Sequence, residues 1–199
     1  GTELELGSGF PLSDVLMFKV EAPELSFNEK PPRYYWRGRA YDFFSNDQWY
    51  TTGTTLEEYS PTDPLPGIDD TNAVTFNFNT GEQRVSLLYA PSQPVWVSRP
   101  GSMLTAPGGD QMDIVSWNAT PSILPGETYQ VEAALNNPTI EELRAAGTEY
   151  PKWVTDKYLQ LPENFSQPIR SLALEITANA ETPYDQAFAI TQYLRIRRG

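Results

Sequence analysis

The chain has 199 residues and a formal net charge of -12, from 14 basic and 26 acidic side chains. It contains no cysteine and no histidine, which excludes a thiol nucleophile, a disulfide, thiolate or imidazole metal ligands, and any Ser-His-Asp or Cys-His arrangement. The acidic balance also argues against tracking a nucleic-acid backbone, which needs concentrated positive charge; the basic residues gather only at Arg195, Arg197 and Arg198, which read as a solvated helix end.

Val15 to Val20 is the first apolar run and a candidate strand. Arg39 to Phe44 and Gln48 to Tyr50 flank the polar turn Ser45-Asn46-Asp47 and predict a hairpin. Residues 57–71, rich in proline and acids, leave little to bury and are expected to form a long loop. Val74 to Phe78 alternates like a strand with one buried face; Asn79-Thr80-Gly81-Glu82 then turns the chain into Arg84 to Tyr89. Val95 to Val97, Met112 to Trp117 and Thr128 to Leu135 predict further strands, with turns at Ala106 to Asp110 and Ser122 to Gly126. There is no internal repeat. Short strands between turns rich in Gly and Pro predict a mainly β fold, an antiparallel β-sandwich or open-barrel-like domain followed by a short, mostly helical C-terminal segment.

The change of texture places the β-rich part at 1–150 and the helical part at 151–199. Thr139-Ile140-Glu141-Glu142 has the pattern of a capping box, and the helix it starts should stop at Gly147. Pro151 suits the first turn of another short helix, with Trp153, Val154 and Lys157 along or beside one face. From about Pro168 onward, Ile169, Leu172, Ala173 and Ile176 recur at helical spacing. Thr182-Pro183-Tyr184-Asp185 then starts a last helix with Ala187, Ile190 and Leu194 on one face, and Phe188 and Thr191 beside them. No apolar run approaches the roughly 20 residues that cross a bilayer, and no signal peptide is visible, so this region is expected to be a soluble segment.

Aromatic side chains are densest between Tyr34 and Tyr50. Tyr34, Trp36, Tyr41, Trp49 and Tyr50 are rings of the kind that stack on sugars, and Arg37 or Arg39 could hold a carboxylate or phosphate. The same residues also suit two adjacent strands supplying large core side chains, with arginine over an aromatic face, and that is the expected use. Asp42, Asp47, Asp69, Asp70, Asp110 and Asp113 are the acids available for a glycosidase-like pair, but sequence fixes neither their separation nor their pKa values. Asp69-Asp70 and Gly108 to Asp113 lack the ordered ligand spacing of a calcium loop and read as solvated acidic turns. Gly7-Ser8-Gly9 lacks the context of a phosphate loop, and no cofactor is expected.

Tyr35-Trp36-Arg37-Gly38-Arg39-Ala40-Tyr41-Asp42, followed by Asp47-Gln48-Trp49, resembles the tryptophan-rich signature of bacterial membrane-anchored transglutaminase-like proteins of the TgpA type. Ser13 to Val20 is similar to that family's first strand, and Tyr158 to Pro162, Thr182 to Ala187 and Ile190 to Leu194 follow in the family's order. The resemblance implies a longer parent with transmembrane helices before this segment and a papain-like Cys-His-Asp core after it, displayed on the extracytoplasmic side of a bacterial membrane. It carries no catalytic position onto these residues. The chain is then a noncatalytic accessory or scaffold segment: 1–150 is the β-rich accessory domain, and 151–199 is the helical lead-in to a core truncated here. The implied partner is the downstream catalytic domain of the same polypeptide, with an envelope protein or glycan as a further candidate and nucleic acid excluded. Two alternatives stay open, a stand-alone cell-envelope or carbohydrate-binding β module and a carboxylate-pair hydrolase.

Overall fold

The computed structural model describes residues 3–5, 14–25, 34–46, 48–63, 65, 73–91, 94–109, 111–135 and 137–196. The chain divides into two compact units, Gly1–Leu135 and Asn136–Gly199. The first is an antiparallel β region and the second is helical, and each is described by itself.

The strands of the first unit are β1 (Glu3–Glu5), β2 (Phe18–Glu21), β3 (Phe43–Ser45), β4 (Gln48–Tyr50), β5 (Thr55–Tyr59), β6 (Ala73–Thr80), β7 (Val85–Leu87), β8 (Pro94–Val97), β9 (Gly101–Gly108), β10 (Gln111–Ile123) and β11 (Thr128–Ala134). They form three sheets, ordered β1-β4-β3, β5-β9-β10-β7 and β2-β6-β11-β8. The alternation read at 74–78 is the reason β6 sits where it does. Phe76 and Phe78 are fully buried, while Thr75 and Asn77 take the other face, where Gln130 Nε2 donates to Asn77 Oδ1 at 2.8 Å. β11 repeats the pattern opposite it, with Tyr129, Val131 and Ala133 buried and in register with Phe78, Phe76 and Val74.

Both four-stranded sheets feed one core. Tyr59, Met103, Ile114 and Trp117 come from β5-β9-β10-β7, and Phe76, Phe78, Val97, Tyr129 and Val131 come from β2-β6-β11-β8. Phe78 stacks on Tyr129 with centroids 4.7 Å apart, and Tyr59 meets Trp117 edge to face at 4.3 Å. Each of these large side chains contributes about 2–3 kcal/mol through removal of apolar surface from water.

Several strand expectations change. Residues 57–59 belong to β5 and not to a loop, because the prolines of that stretch begin only at Pro61 and leave 55–59 free to pair with β9. Tyr59 is buried there, and Glu57 Oε1 accepts from Thr105 Oγ1 at 3.0 Å. β9 runs on to Gly108, so the turn expected from Ala106 opens only at Gly109. β10 runs on through Ser122 to Ile123, so the next turn begins only at Leu124. β2 starts at Phe18, and the carbonyls of Leu16 and Met17 accept from Glu82 and Gly81 instead of from a full ladder. The end of the expected loop, at 66–71, lies outside the described residues.

The second unit holds α1 (Ile140–Ala145), α2 (Lys152–Tyr158), α3 (Gln167–Ile176) and α4 (Pro183–Ile196). The capping box of α1 is complete: Glu142 N–H donates to Thr139 Oγ1 at 3.2 Å, and Thr139 N–H donates to Glu142 Oε2 at 2.7 Å. Gly147 follows with φ of 71°, the left-handed conformation that ends helices. Pro151 stands at the N-cap position of α2, just outside it, with no side-chain cap, and its carbonyl accepts from Val154 and Thr155. At the start of α4, Asp185 N–H donates to Thr182 Oγ1 at 3.2 Å, and the Thr182 hydroxyl donates to Asp185 Oδ2 at 2.7 Å. Arg144 closes the arrangement with two bonds to Asp185 Oδ1, at 3.0 and 2.8 Å, so α1 belongs with the helices and the units divide before it. Among the described residues no helix is long and apolar enough to cross a membrane.

This network gives the helical unit an acid-sensitive joint. Hydrogen bonds from Arg144 and then Thr182 hold the Asp185 carboxyl below its ordinary range, and the Thr139 amide does the same for Glu142. A folded pKa below the unfolded one means that the unfolded chain binds more protons as pH drops. The stabilisation is therefore complete above the ordinary carboxylate range and is lost as pH falls through the lowered values. The helical far-ultraviolet signal is expected to decline below about pH 4, less steeply in Asp185→Asn, which keeps the side-chain shape without the titrating group. A profile identical in the two proteins would show that Asp185 carries none of the transition.

Candidate functional site

The aromatic stretch identified in the sequence does not form one surface. Residues 34–36 belong to no strand, yet their side chains alternate between the core and solvent. Tyr34 packs edge-on against Phe76 at 5.3 Å, and Trp36 packs edge-on against Phe76 and Phe78 at 5.7 and 5.3 Å. The Tyr34 hydroxyl is buried without a hydrogen-bond partner among the described residues, and desolvation raises its pKa. Between them Tyr35 points outward and is 79% exposed.

From Arg37 the chain becomes a short rung beside the β5-β9-β10-β7 sheet. Arg37 and Ala90 exchange backbone bonds of 2.8 and 3.1 Å, Arg39 bridges Ser116, and Ala40 N–H donates to Val115 O at 2.9 Å. The register of β10 against β9 shifts between Ile114 and Ser116, at the place where this rung meets it. Gly38 lets the rung lie close: a Cβ there would come within 3.0 Å of Leu87 Cδ2 and 3.1 Å of Tyr89 Cε1. The two guanidiniums are engaged locally. Arg37 Nη2 donates to Ile114 O at 3.2 Å, and Arg39 Nε donates to Thr51 Oγ1 at 3.3 Å while its guanidinium lies 5.8 Å from the centre of the Tyr41 ring.

Asp42 ends the rung. Its carboxylate is buried and accepts from Thr52 N–H at 2.8 Å and Thr52 Oγ1 at 2.9 Å, while its own N–H donates to Tyr50 O. This closes the loop behind β4. Asp42→Ala is expected to lower stability by about 1–2 kcal/mol, since it removes both hydrogen bonds that tie Thr52 to the buried Asp42 side chain, and chemical denaturation measures it. A loss below about 0.5 kcal/mol would mean that water replaces the carboxylate without cost.

Trp49 and Tyr50 lie on neither of the larger sheets. They sit on opposite faces of β1-β4-β3, where Trp49 pairs with Phe44 at 5.2 Å and Tyr50 with Phe43 at 6.4 Å. The Tyr50 hydroxyl donates to Gln48 Oε1 at 2.6 Å. The seven candidate residues are thus distributed over three places: Tyr34 and Trp36 on the core, Arg37, Arg39 and Tyr41 along the rung, and Trp49 and Tyr50 on the small sheet. None of the five candidate rings is fully exposed. The most exposed ring of the stretch, Tyr35, is not among the candidates; its place between two inward-facing aromatics is a period-two signal that marks it.

A cavity of about 20 Å³ lies against the rung, lined by Arg37, Gly38, Leu88, Val97, Ile114 and Trp117 among others. It has room for about one water and none for a sugar ring. An open groove of about 670 Å³ lies at the start of α4; of the three charges lining it, Arg144 and Asp185 already pair with each other, which leaves Glu181. Of the candidate acids, Asp42 is engaged as above, Asp113 lies on β10 opposite Ala106, and Asp47, Asp69, Asp70 and Asp110 lie outside the described residues. Among the described residues, no three or more carboxylates are grouped to hold a metal ion.

The helical unit offers a different kind of surface. None of its four helices has a buried residue. Ile169, Leu172, Phe188 and Leu194, from the apolar faces read in the sequence, are exposed, as is Leu174 (66%), which lies off that stripe. No protein-family model matches the chain, and no curated protein or solved structure matches it either.

Proposed function

We propose that the chain is a noncatalytic, extracytoplasmic accessory segment of a membrane-bound transglutaminase-like protein. In this reading the two four-stranded sheets face one another as a β-sandwich or open barrel, and the helices lead into a papain-like Cys-His-Asp core. The observation that supports it is the helical unit, which buries no residue within its helices and leaves Ile169, Leu172, Leu174, Phe188 and Leu194 open. Large apolar side chains exposed along α3 and α4 suit a surface that takes a protein partner, and the reading makes the downstream core that partner.

The signature residues fit a supporting role. Trp36 is spent on Phe76 and Phe78, Arg37 and Arg39 on the rung, and Asp42 on Thr52. They hold the β region together, and the cavity that Arg37 lines has room for about one water. A glycan-binding module needs at least two of its rings open in one groove with polar donors beside them, and the packing of Tyr34 and Trp36 works against that. Thiol chemistry requires a cysteine and a base to ionise it, so the reading assigns the reaction to the downstream core.

The test compares this segment with a longer polypeptide that continues through the proposed core. Two readouts are used: binding of a fluorescent apolar-surface probe, and incorporation of an amine into a glutamine donor. The segment alone is expected to bind the probe, to lose that binding in a Leu172→Ser, Phe188→Ser, Leu194→Ser variant, and to lose it likewise when the core is attached. Amine incorporation is expected only from the longer form and is expected to vanish when its cysteine is replaced. Turnover by the segment alone, or probe binding undiminished in the longer form, would overturn the proposal.

A further inference from the structure

We draw no further inference here: the strongest candidate, the apolar face that Ile169, Leu172, Phe188 and Leu194 leave open on the helices of the second unit, belongs to the surface on which the proposed function already rests, and nothing else in the structure shows what covers it.

Discussion

Gly101→Ala is expected to cost the β region about 3 kcal/mol or more, a large effect for one methyl group. Gly101 opens β9, the strand between β5 and β10, where it pairs with Tyr59 on one side and Ala119 on the other. A Cβ at this position would lie 1.9 Å from the Asn118 carbonyl oxygen and 2.9 Å from Ala119 Cα. Both are backbone atoms of the neighbouring strand, so no flexible side chain can give way, and relief requires β9 to move against β10. Gly126 supplies the contrast. Its φ is 77° and nothing stands within 4 Å of its added Cβ, so Gly126→Ala pays only the left-handed conformation, about 1–2 kcal/mol. Urea denaturation followed by tryptophan fluorescence separates the two, with an unchanged slope showing that the midpoint reports stability. If Gly101→Ala unfolds at or above the midpoint of Gly126→Ala, the close approach at β10 is not rigid and the packing argument fails.

What was legible in the sequence was the part governed by chemistry within a few residues. Thr139 with Glu142, Gly147, and Thr182 with Asp185 each specify a helix end through groups three or so positions apart, and the structure forms all three. Strands with one wet face were legible too, because Phe76 and Phe78 alternate with Thr75 and Asn77, and Tyr129 and Val131 with Gln130 and Glu132. β9 was not. It begins with Gly101 and ends with Pro107 and Gly108, all turn-forming types, and its consecutive Thr105 and Ala106 are both buried, which erases the alternation. The rung at 37–40 was hidden for another reason. Its partners, Ala90, Val115 and Ser116, are more than fifty residues away, and nothing local selects them over a hairpin with 48–50. The candidate site failed at the same point, since one composition of Tyr, Trp and Arg serves a core, a rung and a small sheet alike until pairing decides which.

Two tyrosine hydroxyls perform work that no pattern of apolar residues announces, and removing either is expected to cost about 2–3 kcal/mol. Tyr59 donates to the Val97 carbonyl at 3.0 Å and accepts from the Val97 amide at 3.2 Å. Tyr129 treats Tyr89 in the same way, with both bonds at 3.1 Å. Each ring starts in one four-stranded sheet and ends on backbone associated with the other: Tyr59 of β5 reaches β8, and Tyr129 of β11 reaches the chain just past β7. β8 is an edge strand, so the hydroxyl of Tyr59 stands where a further strand would satisfy Val97. Phe at either position keeps the ring contact with Trp117 or Phe78 but strands a donor and an acceptor. Burial also raises both phenol pKa values, more than the backbone bonds lower them. The unfolded chain therefore releases these protons first, and stability falls as pH rises past about 10, the ordinary tyrosine value. Tyr129→Phe is thus expected to lower the urea midpoint at neutral pH and to reduce the loss of stability between about pH 9 and 11. If that variant stays within about 0.5 kcal/mol of the parent at neutral pH, the hydroxyl bridge is dispensable, and side-chain burial alone holds the two sheets to one core.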